Sequence, residues 1–316
     1  KTAYEIPKRD WSSDVCSSDL KTIVSVFMSA AGAPADLGPI PSFRFPEAAA
    51  AALAHATRRG EWLARGDQAQ PALPDFDRER ARALIGAAMS AGAGWLAPTD
   101  AQALLTAAGI PVAAAAVAGT PAEAVLAADR LRYPVVVKAI GPEILHKTEV
   151  GGVLLNITNA DGVAAAWDSL KARLGDRMSG VLVQQMISGG VEMLVGMTDD
   201  ATFGPIIACA LGGVMTELMQ DAALRLPPIS GDDAGAMVNG LRGARLLRGF
   251  RGQPAVDEAA LRDGLLRLSA LIEACPEIRE LDINPLLVRP KGVCAIDARV
   301  RIGPTASPSA FRRITY

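Results

Sequence analysis

Apolar residues recur with two periods in this chain, and the changes of period divide it into elements. Residues 22–28, Thr-Ile-Val-Ser-Val-Phe-Met, form a short apolar, β-branched run that predicts a buried strand. A loop with Gly38-Pro39-Ile40-Pro41 follows, and Pro46 then opens an Ala-rich helix expected to reach about Arg59. Proline's fixed φ is least costly at that first helical position. Strand, loop and helix here make a fragment of an α/β layer, too small to bury a core alone. Residues 66–76 read as a polar linker, and 77–89 as a helix broken by 92–98.

From there to about residue 302 the periods predict one continuous α+β domain. Helices are expected at 99–108, 120–131 and 161–174, with Thr120 and Pro121 as N-cap and first helical residue. Strands are expected at 135–138, 153–157, 181–186, 192–197 and 205–210, ahead of a helix-rich stretch at 232–275. A terminal hairpin pairs 280–288 with 293–297 through Arg289-Pro290-Lys291-Gly292, and residues 303–316 read as a tail. Helices segregate from mixed sheets, so the class is α+β rather than a βαβ repeat.

Composition narrows the function. Of 316 residues 50% are hydrophobic, too many for a disordered chain. Thirty-two Lys+Arg against 34 Asp+Glu give a formal charge of −2, so no basic field recruits nucleic acid or an anionic membrane. Aromatic residues are 4%, which argues against a base-stacking surface. No apolar run reaches the roughly 18 residues of a membrane span. Four Cys make no disulfide framework and fit the reduced thiols of a cytoplasmic protein. Asp14-Val-Cys-Ser-Ser-Asp-Leu20 has no periodicity and matches the translation of a sequencing-library adapter. Residues 1–20 are therefore set aside as non-native, and the reading frame is expected to be truncated ahead of Lys21.

Three segments carry candidate chemistry. Lys138 ends the apolar run Tyr133-Pro-Val-Val-Val-Lys138, and a buried ammonium there needs an acceptor. Gly151-Gly152 precedes the next strand, where missing Cβ atoms let backbone N–H groups approach a polyphosphate. A half-exposed strand-end Lys and a simple Gly-Gly turn are the plain alternatives. Between them lies His146, whose imidazole is nucleophilic near neutral pH and can carry a phosphoryl group, or simply hydrogen-bond phosphate. His55, in the Ala-rich helix, reads as an ordinary helical His. In Leu281-Asp-Ile-Asn-Pro285, Asp282 and Asn284 share one sheet face, and Asp297 lies across the turn. Such hard oxygens suit Mg²⁺, although strand-exit residues would look the same.

Together these segments resemble a known family. Ala107-Ala-Gly-Ile-Pro-Val112, Tyr133-Pro-Val-Val-Val-Lys138, Leu145-His-Lys-Thr-Glu-Val-Gly-Gly-Val153, Val183-Gln-Gln-Met186, Val191-Glu-Met-Leu-Val-Gly196, Phe203-Gly-Pro205, Leu211-Gly-Gly213 and Leu281-Asp-Ile-Asn-Pro285 resemble the ATP-grasp domain of ADP-forming acyl-CoA synthetases, relatives of the succinyl-CoA synthetase β subunit. The resemblance runs from about Leu96 to Ile302. It implies a two-lobed ATP-grasp domain at 96–302, with lobes at about 96–180 and 181–302. Residues 21–65 resemble the end of the α/β, flavodoxin-like ligase domain that precedes it in fused members, with a linker and helix at 66–95.

The resemblance implies ATP or ADP between the lobes. Lys138 and Lys147 would pair with phosphates, and the Gly151-Gly152 loop would fold over them. Gln184 and Gln185 match the interlobe hinge beside adenine, and Glu192 the neighbourhood of the ribose. Asn284 and Asp297 match the magnesium positions, with Asp282 nearby, and His146 matches a phosphoryl-carrying histidine. The implied reaction joins acid, CoA and ATP to acyl-CoA, ADP and phosphate through acyl phosphate and phosphohistidine. The chain departs from the family at Ala210, where Gly is usual, and at Glu149, where Asp is common. It lacks a Gly-x-Gly-x-x-Gly fingerprint after a strand. CoA binding and the first phosphohistidine would therefore belong to N-terminal domains absent from this sequence or to an α-type subunit. Competing readings are a ligase-like regulatory module of a protein lysine acetyltransferase and a non-catalytic nucleotide sensor.

Overall fold

The computed structural model describes residues 22–28, 40–64, 71–141, 144, 150–213 and 221–305. The adapter-like segment, His146 and Lys147 lie outside the described residues, as does most of the tail. The chain divides into two compact units, residues 1–68 and 69–316.

In the first unit β1 (Ser25–Val26) pairs in parallel with β2 (Ser42–Phe43), and α1 (Pro46–Ala64) follows. The expected strand over 22–28 is thus shorter, since β2 offers only a two-residue partner. The helix starts at Pro46 as expected and runs past Arg59.

The second unit opens with α2 (Arg78–Ala91), β3 (Gly94–Trp95) and α3 (Pro98–Ala107). It continues with β4 (Ala115–Ala118), α4 (Pro121–Leu131), β5 (Val135–Ile140), β6 (Val153–Ile157), α5 (Ala160–Leu174) and β7 (Gly180–Gln185). Next come β8 (Val191–Asp200), β9 (Gly204–Leu211), β10 (Ala222–Arg225), α6 (Gly231–Gly240) and α7 (Glu258–Ala274). The last elements are β11 (Ile278–Val288), β12 (Val293–Ala295) and β13 (Ala298–Ile302). Local chemistry fixes the helix starts. Thr120 accepts the Glu123 N–H, Asn159 that of Gly162, and Ser230 forms a reciprocal capping box with Asp233.

These strands form two antiparallel sheets. The smaller has the order β4-β7-β5-β6 and the larger β10-β9-β8-β11-β13-β3, with β12 pairing on β11. Helices α4 and α5 cover one face of the small sheet, where Ala124, Val163, Ala166 and Leu170 pack on Val135, Val137, Val181 and Val183. The large sheet buries Met193, Val195, Ile207, Leu281 and Ile283 against α2, α3, α6 and α7. Helices take one face of each sheet, and period 2 then dictates what the opposite faces carry. On the small sheet these are Val136, Lys138, Leu182 and Gln184; on the large sheet Glu192, Leu194, Asp282 and Asn284.

Sheet membership corrects the expected division near residue 180. Strand β7 lies between β4 and β5 in the small sheet. Helix α3, with Leu104 and Leu105 fully buried, belongs instead to the large-sheet core, and β3 pairs Trp95 with Arg301 of β13. The small lobe is therefore about 112–186. The chain enters it through residues 108–114 and leaves through 186–190. At the entry the Ala295 N–H donates to Pro111 O (2.8 Å) and the Ala113 N–H to Ala295 O (3.0 Å), fastening β12 to the crossing.

Candidate functional site

Register assembles the site. In the small sheet Lys138 faces Leu182 on β7 and Val153 on β6, so the Gly151-Gly152 turn that leads into β6 lies beside the lysine strand. Lys138 is only 5% exposed, and its Nζ donates to the carbonyl of Ile296 at 3.0 Å. Gln184, 1% exposed, donates from Nε2 to the same carbonyl at 2.9 Å. The half-exposed strand-end lysine is thereby excluded. Two polar side chains of the small sheet converge on one backbone oxygen of the large-sheet hairpin. Gln184 Oε1 is buried and has no hydrogen-bond partner among the described residues. An unmet buried acceptor costs about 1–3 kcal/mol.

The turn is held from two sides. The Ala139 N–H donates to Gly152 O (2.8 Å), and Arg173 Nη1 of α5 donates to Gly151 O (2.5 Å). Gly151 has φ +62°, the left-handed region that favours glycine.

Ile296 adjoins the acidic hairpin. The Asn284 N–H donates to Asp297 O at 3.1 Å, and Asp297 Oδ1 accepts the Ala298 N–H at 3.1 Å. Asp297 does not end a continuous strand, as the sequence reading had it. It stands in the break between β12 and β13, because Pro285 on the facing strand has no N–H for the ladder. Asp282 lies directly opposite Arg299, with 3.7 Å between Oδ2 and Nη2. Burial raises the Asp282 carboxyl above its ordinary value, Arg299 opposes this, and Asp297 adds to it. Arg299 in turn stacks over Trp95 at 5.5 Å. Among the described residues no cluster of three or more His, Cys, Asp and Glu could hold a metal. The hairpin carries two carboxylates and an amide, hard oxygens of the kind Mg²⁺ takes, with Asp282 already paired to Arg299.

Glu192 lies on β8, opposite Leu287 of β11. Its carbonyl accepts the Gly212 N–H (2.6 Å), and the residue borders a cavity of about 440 Å³ with Val191, Leu211 and Phe250. Gln185 is exposed, and only its backbone is fixed, its N–H donating to Ala114 O at 2.8 Å. Near Ile140, a second cavity of about 370 Å³ is lined by Trp95, Gly141, Ser179 and Arg299. Ala210, the departure from Gly, is 2% exposed and pairs with Leu194, so its methyl is enclosed. His55 is exposed in α1, with Nδ1 3.0 Å from Arg58 Nη2.

The structure thus brings together Lys138, Gly151, Gly152, Gln184, Asn284 and Asp297, with Asp282 adjacent, whereas Glu192 borders a separate cavity. Sequence reasoning missed Ile296, Arg173 and Arg299. Arg299, two residues beyond Asp297 in an alternating run, left a signal; a backbone carbonyl leaves none. Cys209, Cys275 and Cys294 are free and buried. Burial pushes the Cys209 thiol up to about 12 and that of Cys275 to about 11, so neither is a nucleophile at neutral pH. No helix among the described residues is long and apolar enough to cross a membrane.

A family model described as an ATP-grasp domain matches residues 87–302. An ADP-forming acetate–CoA ligase I of Archaeoglobus fulgidus is 36% identical over 268 residues, covering 84% of this chain and 39% of that protein. The β subunit of the corresponding Pyrococcus furiosus ligase I is 34% identical over 210 residues, 65% of this chain and 90% of the subunit. Among solved structures, acetyl-coenzyme A synthetase 1 of Ca. Korarchaeum cryptofilum, in complex with coenzyme A, Ca-AMPCP and HgCl⁺, aligns with TM-score 0.68. It is 34% identical, and the match covers 71% of this chain and 100% of that one. The chain spans 39% of the length of each of two longer ligase relatives, from Archaeoglobus fulgidus and Nitrosopumilus maritimus. By the family match and by its kinship with these β subunits, the chain belongs to the ATP-grasp domain family of ADP-forming acid–CoA ligases.

Proposed function

We propose that this chain is the nucleotide-binding part of an ADP-forming acid–CoA ligase and moves a phosphoryl group between ATP or ADP and His146. The observation that carries this reading is the convergence of Lys138 and Gln184 on the carbonyl beside Asp297, with Gln184 Oε1 left to accept a donor. The exocyclic amine of adenine is such a donor. Lys138 and Lys147 neutralise phosphate charge, Gly151 and Gly152 present backbone N–H groups, Gln185 flanks the base, and Glu192 holds the ribose hydroxyls.

Asn284, Asp297 and Asp282 are the residues that would hold Mg²⁺, which supplies charge neutralisation on the phosphate oxygens. His146 attacks with an unprotonated ring nitrogen. The N–P bond forms as the bridging O–P bond to ADP breaks, and the electron pair leaves on the β-phosphate oxygen. Positioning and charge compensation account for most of such a transfer. Acyl phosphate formation and CoA binding fall to the remainder of a longer chain or to an α-type subunit. Residues 21–65 then read as the end of the flavodoxin-like domain of a fused ligase.

The test is incubation of the purified chain with γ-labelled ATP and Mg²⁺. Acid-labile, base-stable label that disappears in His146→Ala supports phosphohistidine transfer. Tight ATP binding with no label on the wild-type chain overturns it in favour of a nucleotide sensor.

A further inference from the structure

The mechanism above leaves one charged side chain unexplained at the phosphate end of the site. Arg173 lies in the last turn of α5, on the helix-covered side of the small sheet, yet its guanidinium reaches round to the Gly151 carbonyl. The guanidinium packs closely on the turn. A Cβ added to Gly151 would lie 2.4 Å from Arg173 Nη1, in addition to the strain of φ +62°. The backbone conformation is what calls for glycine at 151; the guanidinium, at the end of a flexible side chain, could shift aside.

We propose that Arg173 is a positioning residue for nucleotide phosphates, acting through the Gly151–Gly152 peptide; this rests on the nucleotide-site reading. The peptide is not among the cis bonds of the chain, and a planar trans peptide sets its C=O and N–H on opposite sides. With the Gly151 oxygen drawn toward α5, the Gly152 N–H turns the other way, to the side where Lys138 projects. The next carbonyl, of Gly152, is fixed by the Ala139 N–H, so the turn cannot roll to relieve the constraint. Arg173 thus pre-orients a donor that would otherwise be ordered at the expense of binding free energy.

The experiment measures ATP·Mg²⁺ binding by calorimetry and adenosine binding by ligand-observed NMR, on the full chain and on Arg173→Ala and Arg173→Lys. Arg173→Ala is expected to lose at least tenfold in ATP affinity while its adenosine affinity and apo melting temperature stay at wild-type values. Arg173→Lys, which still reaches the carbonyl with one donor, should recover most of the loss. Unchanged ATP affinity in Arg173→Ala overturns the inference. So does an equal loss for ATP and adenosine, or a lowered apo melting temperature, either of which marks a general structural role. A wild-type chain that binds neither ligand overturns the nucleotide-site reading and this inference with it.

Discussion

Lys138 and Gln184, on neighbouring strands of the small sheet, donate to a single acceptor, the Ile296 carbonyl, at 3.0 and 2.9 Å. On the proposed reading this buried ammonium brings its positive charge to the nucleotide phosphates as well. Lys138→Met keeps the volume of the side chain and removes that charge. It should lower ATP affinity at least tenfold, about 1.4 kcal/mol, with little loss of thermal stability. Calorimetry with ATP·Mg²⁺ checks this, and wild-type affinity would remove Lys138 from the phosphate site.

Gln184 tests the same junction without ligand. Gln184→Glu replaces the Nε2 donor by a carboxylate oxygen facing the Ile296 carbonyl. The apo protein should be destabilised by about 1–3 kcal/mol, the range for an unmet buried polar group. Denaturant titration of both proteins gives the difference; equal midpoints and slopes would mean that the bond contributes nothing to the folded state.

At the acidic hairpin, Asn284→Ala combined with Asp297→Ala should remove the Mg²⁺ dependence of nucleotide binding and leave the fold intact. The Asn284 backbone bond to Asp297 O survives both substitutions, so the corner keeps its shape. Binding titrations with and without Mg²⁺, alongside circular dichroism, decide the matter. A metal dependence that persists would place the ion elsewhere.

A pH dependence follows from Asp257, the N-cap of α7. Its carboxylate accepts the N–H groups of Ala260 and Gly292, both at 3.0 Å, and these bonds hold it below its ordinary value. An acid bound more tightly as its anion in the folded state stabilises above its unfolded value and loses that contribution as pH falls through the folded one. Asp257→Ala should therefore cost about 1 kcal/mol at neutral pH, a usual figure for a lost N-cap. The gap from wild type should narrow in strong acid. Melting curves over the acid range check the sign, and a gap that widens on acidification contradicts it.

Much of the small sheet was legible because its residues follow local rules. Thr120 caps α4 as its side chain dictates, and the alternation of 135–138 puts Lys138 on the face away from α4 and α5. Strand β4 was not legible. Its sequence, Ala-Ala-Val-Ala, lacks β-branched alternation, and it is a strand because β7 offers it an edge, pairing Ala116 with Val183. Strand β13 was hidden for another reason. The sequence predicts a second hairpin strand that ends at 297, whereas Pro285 interrupts the ladder opposite, and pairing stops at Ala295 and resumes from Ala298. The destination of α3 was also silent, since its apolar stripe fits either core equally well. The candidate site shows the same limit: side chains announce themselves by type, but the acceptor that gathers them is a main-chain oxygen.

The fastening of β12 to the crossing at 108–114, through Pro111 and Ala113, has a mechanical consequence. The pivot about which the small sheet would rock is tied to Ala295, one residue from the oxygen that gathers Lys138 and Gln184 and two from Asp297. On the proposed reading, any rotation of the small sheet about this crossing would be transmitted to Asp297, and a substitution that loosens the crossing should weaken nucleotide affinity and its Mg²⁺ dependence together.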